Sequence, residues 1–262
     1  MHEPPLSRRR LLVWSAASAA WATLTSCGRR QRERWFGGGT VIGRLQSRPG
    51  VPAPGQPPVG LLPLGPEGER DALLYVPTTY RAETPLPLVL MLHGAGGTAR
   101  GGIEPLLGSA EAANLILVSP RSRGRTWDAV GGLEGRDVPF VDAILAETMG
   151  RYAIDPAQVA VAGFSDGASY ALTLGLANGD LFRAIIGFSP GFRAGRQPRG
   201  RPRVFVSHGV SDDILPIDRC SRRIVPALKD EGYDVRYEEF AGGHEIPPAI
   251  VAAALTWLET GA

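Results

Sequence analysis

The sequence predicts an α/β fold, with a mostly parallel central sheet and helices on both faces. Three observations carry this. Short apolar runs alternate with segments of helical spacing along most of the chain, as repeated βα units require. One run, Leu86–Leu92 (LPLVLML), is apolar on both faces, as a strand covered above and below must be. The 262 residues, 44% of them hydrophobic, suffice for one full core, and no internal repeat or second core is visible.

Taken in order, Leu61–Leu64 and Ala72–Val76 read as an opening antiparallel pair, followed by the buried strand at Leu86–Leu92. A helix is expected around Glu104–Ala113, then a strand at Leu115–Val118 (LILV). Apolar residues recur at helical spacing over Asp137–Met149, before another strand at Val159–Ala162. A small-residue helix is expected after Gly167. Strands at Ile185–Phe188, Val204–Val206 and Val235–Phe240 and helices at Ser221–Lys229 and Pro248–Leu258 complete the set. In such sheets the functional site lies beyond the carboxyl ends of the strands.

The beginning of the chain reads differently. Ser7-Arg8-Arg9-Arg10-Leu11-Leu12 is a twin-arginine pattern ahead of an alanine-rich apolar stretch too short for a comfortable permanent span. Leu24-Thr25-Ser26-Cys27 then resembles a lipobox, with Cys27 as the lipid acceptor. Residues 1–26 are therefore expected to be an export signal, and the protein an exported lipoprotein facing the periplasm or cell exterior. An ordinary signal peptide or anchoring helix with a chance cysteine is the alternative. Residues 27–60 are rich in Gly, Pro and Arg and read as a flexible tether, which leaves 61–262 as the globular domain.

Charge excludes one class of partner. The formal net charge is only +2, and three basic residues (Arg8, Arg9, Arg10) and one acid (Glu3) lie in 1–26. Of the 28 basic and 26 acidic residues, 25 of each remain beyond that segment, so nothing points to nucleic acid. With Cys27 lipidated, Cys220 has no partner for a disulfide. The four histidines lack ligand spacing and the two cysteines lie far apart, so no metal or other cofactor is expected.

Three motifs fall at strand ends. Gly163-Phe164-Ser165-Asp166-Gly167 sits between a strand and a helix, the setting in which Gly-x-Ser-x-Gly makes a sharp turn that exposes the serine as a nucleophile. The helix beginning after it aims its first amides at the place where an oxyanion would form. His93-Gly94-Ala95-Gly96-Gly97 follows the buried strand and supplies a second set of free amides, so the N–H groups of Ala95 and Asp166 are the candidate oxyanion donors. The loop lacks the Lys-Ser/Thr ending of a P-loop.

The third motif is split. Asp212 and Asp213 lie just beyond one strand, and His244 just beyond the last. A serine hydroxyl needs a base to take its proton, and the base needs a carboxylate to hold its tautomer. Ser165, one of the two aspartates and then His244 supply these roles in the chain order Ser, acid, His. His93 and His208 each precede a glycine at a strand end and are read chiefly as loop braces. The segment Arg121–Arg136 is expected to overhang the site. Trp127 within it, with His93, is the candidate substrate-pocket lining, loop anchoring being the alternative. Its arginines read as solvated charges, with attraction of an anionic substrate as the other possibility.

Together "LHGAGG", "GFSDG", "SHGVSDDILP" and "FAGGHEIPP" resemble the α/β-hydrolase superfamily, and within it the phospholipase/carboxylesterase and polyhydroxybutyrate-depolymerase-like esterases, over residues 61–262. The resemblance implies Asp212, at the fifth position of the His-Gly-x-x-Asp-x-x-x-Pro stretch, as the triad acid and His244 as the base. It implies a serine esterase mechanism. The small or exposed ester expected as substrate follows from the short link after the strand at 185–188, and membrane attachment through a lipid at Cys27 from the lipobox. A thioesterase or peptidase using the same triad, or a non-catalytic lipoprotein keeping the fold, are the alternatives. The link of about fifteen residues between the strands at 185–188 and 204–206 is too short for a lid domain.

Overall fold

The computed structural model describes residues 43–65, 68, 71–128, 135–194 and 198–261. The expected signal segment, Cys27 and the first part of the expected tether lie outside the described residues. Eight strands are described: β1 (Gly60–Leu64), β2 (Ala72–Val76), β3 (Leu86–Leu92), β4 (Ile116–Pro120), β5 (Ile154–Phe164), β6 (Ala184–Phe188), β7 (Arg203–Gly209) and β8 (Val235–Phe240). They form one sheet in the order β1-β2-β4-β3-β5-β6-β7-β8. The pairs β1–β2 and β2–β4 are antiparallel, and every other pairing is parallel. Because β3 to β8 run one way, the loops that follow them gather along a single edge of the sheet.

Among the described residues five α-helices cover the sheet: α1 (Ala99–Ala110), α2 (Asp137–Arg151), α3 (Asp166–Ala177), α4 (Ser221–Asp230) and α5 (Pro248–Thr260). Successive strand residues point to opposite faces, which divides the core into two layers. Leu88, Leu90 and Leu92 of β3 join α2, α3 and α4 in one cluster. Val89 and Met91 join α1 and α5 in the other. The small-residue sequence of α3 has its reason in this packing. At Gly175 an added Cβ would lie 2.6 Å from the Ile185 side chain, so the helix can seat deeply against β6 only without one.

Two sequence expectations shift. The first helix begins at Ala99 rather than near 104, because Thr98 is extended and its hydroxyl accepts the Gly101 N–H at 3.1 Å. Gly101-Gly102 looks like a break, yet a Cβ at Gly102 would come 2.2 Å from Ser119 Oγ, so close approach to β4 selects glycine.

The expected tether is corrected at its far end. Residues 43–60 contain no helix and almost no strand, but they lie against the domain. Leu45 is fully buried, and its N–H donates to Asn178 Oδ1 at 3.0 Å. The N–H groups of Gln46 and Ser47 donate to Asp142 Oδ1, and Tyr152 Oη donates to the Pro58 carbonyl. Composition excluded regular structure here correctly, but the side chains that hold the segment, two acceptors and one donor, lie more than 90 residues away.

Candidate active site

The turn between β5 and α3 is built by sterics. Ser165 has φ 57° and ψ −120°, in the left-handed half of backbone space, and its N–H donates to the Phe188 carbonyl at 2.9 Å. A Cβ at Gly163 would lie 2.2 Å from the Gly167 carbonyl oxygen; one at Gly167 would lie 2.2 Å from Leu92 O and 2.5 Å from His93 O. These are backbone atoms that cannot swing away, so both glycines are obligatory. Gly167→Ala is expected to lose about 3 kcal/mol or more of stability, a fall in Tm of roughly 10 °C. Gly108→Ala, in α1 with nothing within 4 Å of the new Cβ, is the control. It should instead gain about 0.5–1 kcal/mol.

Ser165, His244 and Asp212 come together from three loops. His244 Nε2 lies 2.9 Å from Ser165 Oγ, and Nδ1 lies 2.7 Å from Asp212 Oδ2. With a carboxylate at Nδ1, the ring proton sits there and donates to Asp212, which leaves Nε2 as the acceptor for the serine hydroxyl. The imidazole packs on the Phe164 ring, centroids 4.7 Å apart. Glycines again permit the approach. A Cβ at Gly209 would lie 2.2 Å from the Gly243 carbonyl oxygen, so the loops carrying Asp212 and His244 touch backbone to backbone. The N–H groups of Val210 and Ser211 seal the contact by donating to Phe240 O and Gly242 O, each at 2.9 Å.

Asp212 is held on both oxygens. Oδ1 accepts the N–H groups of Ile214 and Leu215 at 3.0 and 2.8 Å, while Oδ2 faces His244 and lies 3.2 Å from His208 Nε2. Burial alone would raise this carboxyl, but the Leu215 N–H and the two histidines outweigh it and hold it below the usual range. His208 Nε2 donates to the Leu215 carbonyl at 2.8 Å and Nδ1 accepts from Ser221 Oγ at 2.7 Å. Burial pushes its pKa down, so it stays neutral beside the acid. His208 thus braces the loop, as its sequence position suggested, and also steadies the acid. Asp213 points to solvent.

The loop after β3 passes against the turn: a Cβ at Gly94 would meet Ser165 Cβ at 3.4 Å. Gly97 N–H donates to Gly94 O and Gly96 N–H to Arg125 O, while the N–H of exposed Ala95 has no acceptor among the described residues. Asp166 is the first residue of α3, where an N–H has no intrahelical partner. Its carboxylate accepts Thr126 Oγ1 at 2.9 Å and takes no part in the His244 contact.

His93 and Trp127 are both buried and act as loop brace and loop anchor, the readings held open for them beside pocket lining. His93 is buried, with Nδ1 donating to Gly94 O at 2.7 Å and Nε2 accepting the Ser122 N–H at 3.0 Å. Trp127 is 0% exposed, donates from Nε1 to the His93 carbonyl at 2.8 Å and stacks on Tyr170. Both rings join the loop after β4 to the loop after β3.

Sequence reasoning missed how that loop is fastened. Asp137, fully buried at the start of α2, accepts the N–H of Arg123 at 2.6 Å and that of Asp128 at 2.8 Å. Asp128 accepts the Asp137 N–H in return at 2.5 Å, and burial pushes its carboxyl up to about 6. No local signal marks such a pair. Two aspartates nine residues apart in a Gly/Arg-rich loop read as solvent-facing.

Sheet order, sharp serine turn and the three-residue constellation together define an α/β-hydrolase fold. The chain belongs to the Esterase family, described as "Putative esterase", whose model matches residues 65–248. It is 32% identical over 158 residues to "Probable feruloyl esterase C" of Aspergillus oryzae, covering 57% of each chain. The chain therefore spans a little over half the length of the curated relatives it matches. Among solved structures it resembles esterase PE8, with a TM-score of 0.60, 26% identity and coverage of 77% of this chain and 99% of that one. The ferulic acid esterase of Anaeromyces mucronatus shares the fold, with a TM-score of 0.59 at 18% identity, covering 84% and 97%.

Proposed function

We propose that this protein is a serine carboxylesterase acting on small or exposed esters through Ser165, His244 and Asp212. The observation that carries the reading is the double hydrogen bonding of His244, with Nδ1 on a buried carboxylate and Nε2 on the hydroxyl of a strained serine. In the proposed reaction Ser165 Oγ bonds to the ester carbonyl carbon as its proton passes to His244 Nε2. The carbonyl electron pair moves onto oxygen, which faces the Ala95 and Asp166 amides. Collapse expels the alkoxy group, which takes the proton from Nε2 and leaves as the alcohol. Water then attacks the acyl-enzyme in the same way, releasing the acid and restoring Ser165.

Membership of the Esterase family supports the chemistry. Feruloyl esters enter as a class to test through the names of the relatives. The loop after β6 is short and is laid on α3, where Gly191 N–H donates to Ser169 Oγ and Ala194 N–H to Thr173 Oγ1, which favours an open site. The test is a fluorophosphonate probe together with methyl ferulate and aryl esters of graded acyl length. Labelling of the wild type but not of Ser165→Ala, with turnover of at least one ester, is the expected result. An unlabelled wild type would sink the reading. We also propose export through the twin-arginine segment and lipidation of Cys27, on the strength of the motifs alone. A diacylglyceryl thioether at Cys27 in the mature N-terminal peptide is what mass spectrometry should then find.

A further inference from the structure

The strand order gives the site a direction. His244 reaches Ser165 from the β8 side, and the loop after β4 lies on the other side of β5, beyond β3. On the esterase reading, the leaving oxygen must reach His244 Nε2 to take its proton. The acyl part of the ester is then the part that extends towards the β4 loop.

The two sides differ in charge. On the β7 and β8 loops the exposed ionisable groups nearest the constellation are acids, Asp213 and Glu245. On the β4 side stand Arg121, Arg123 and Arg125. Arg123 is committed, donating from Nη1 to Asp71 Oδ1 at 2.5 Å with its guanidinium over the Phe140 ring. Arg121 and Arg125 are exposed, and among the described residues their guanidinium groups have no hydrogen-bond or ion-pair partner. The Asp166 carboxylate, next to the serine turn, accepts Thr126 Oγ1.

Arg125 is also fixed where it matters. Its carbonyl accepts the Gly96 N–H at 2.8 Å, its neighbour Thr126 bonds Asp166, and the next residue, Trp127, is the buried anchor. Its Cα is therefore held beside the Gly94–Gly97 loop while its side chain is left free. An unpaired guanidinium on a pinned backbone beside the candidate oxyanion loop is a ready partner for a carboxylate.

We propose that Arg125, assisted by Arg121, recognises a carboxylate on the acyl part of the substrate, so that the preferred esters are half-esters of aliphatic dicarboxylic acids. The proposal rests on the esterase reading and adds the substrate class to it. Length follows from the sheet. Two inter-strand steps from β5 to β4 span roughly 10 Å. An extended chain advances about 1.2 Å per bond, so an acyl group of five or six carbons covers about half the span and the arginine side chain the rest.

The test compares monomethyl adipate with methyl hexanoate, the chain-matched neutral ester, by titration of the released acid. The readout is the ratio of kcat/KM for the two in each variant. A solvent-exposed ion pair supports about a fivefold preference. Arg125→Ala is expected to lower the ratio about fivefold, Arg125→Glu further, and Arg125→Lys only partly. Salt at about 0.5 M should compress the wild-type ratio towards those of the variants. Arg183→Ala, exposed at the opposite edge of the sheet, should leave the ratio unchanged. An unchanged ratio in both Arg125→Ala and Arg125→Glu overturns the proposal while leaving the esterase intact. A wild type that takes the fluorophosphonate label and turns over aryl esters but does not prefer monomethyl adipate to methyl hexanoate overturns this inference alone. A wild type that takes no label overturns the esterase reading and this inference with it.

Discussion

Ser165→Ala is expected to lower kcat on a simple aryl ester by about five to six orders of magnitude while leaving the fold in place. The loss is large because, in the proposed mechanism, Ser165 Oγ is the atom that forms the bond to the acyl carbon. His244 Nε2 has Ser165 Oγ as its protein partner, and the Asp212–His244 contact does not pass through it. The imidazole therefore keeps its tautomer in the variant. The candidate oxyanion amides also survive, so a residual acceleration of about a thousandfold over water is expected. Stability should change little, because alanine meets the same penalty as serine at φ 57°. Steady-state turnover, with active-site titration to exclude traces of wild type, checks the result. Retention of more than about one part in a thousand of wild-type kcat would rule out Ser165 as the nucleophile.

Much of the architecture was legible because the fold imposes patterns that survive in one dimension. A strand covered on both faces must be apolar throughout, as Leu86–Leu92 is. A turn whose Cβ positions fall on backbone oxygens must be glycine, and Gly163, Gly167 and Gly209 announce themselves in that way. The order Ser165, Asp212, His244 was equally visible, since each follows a strand and all such loops share one edge of the sheet.

What stayed hidden depends on partners distant in sequence. Leu45 looks like an isolated apolar residue in a tether until Asn178 is seen to accept its N–H. Trp127, in an Arg/Gly-rich loop, looks like exposed pocket lining; only the His93 carbonyl and the Tyr170 ring explain its burial. The Asp128–Asp137 pair looks solvated until burial and reciprocal backbone bonds are seen. Local pattern therefore reveals faces, turns and strand ends. It does not reveal which long side chain folds back under the loop that carries it.

Asp212→Asn is expected to lower kcat by about 10⁴, and the hydrogen bonds around it say why. Oδ1 accepts two backbone N–H groups, from Ile214 and Leu215, so the amide oxygen of an asparagine would take that position. The NH₂ group would then stand in place of Oδ2, facing His244 Nδ1 at 2.7 Å and His208 Nε2 at 3.2 Å. Nδ1 would have to become an acceptor, which moves the ring proton to Nε2 and leaves no base for the Ser165 hydroxyl. His208 would meet a donor with a donor, because its Nε2–H is already committed to the Leu215 carbonyl. The same carboxylate sets an acid limit on stability. Its folded pKa lies below the unfolded value of about 3.9, so between the two the unfolded chain binds more protons. Its contribution is fully present above about pH 4 and is lost as pH falls through the folded pKa. Wild type should accordingly be the more stable protein at pH 7, with the gap closing below about pH 4. Asp213→Asn, at the exposed neighbour, should leave kcat close to wild type. Turnover of a neutral aryl ester at pH 7 and thermal melts from pH 3 to 8 separate the two variants. An Asp212→Asn enzyme with more than about a hundredth of wild-type kcat would show that His244 does not depend on this carboxylate for its tautomer.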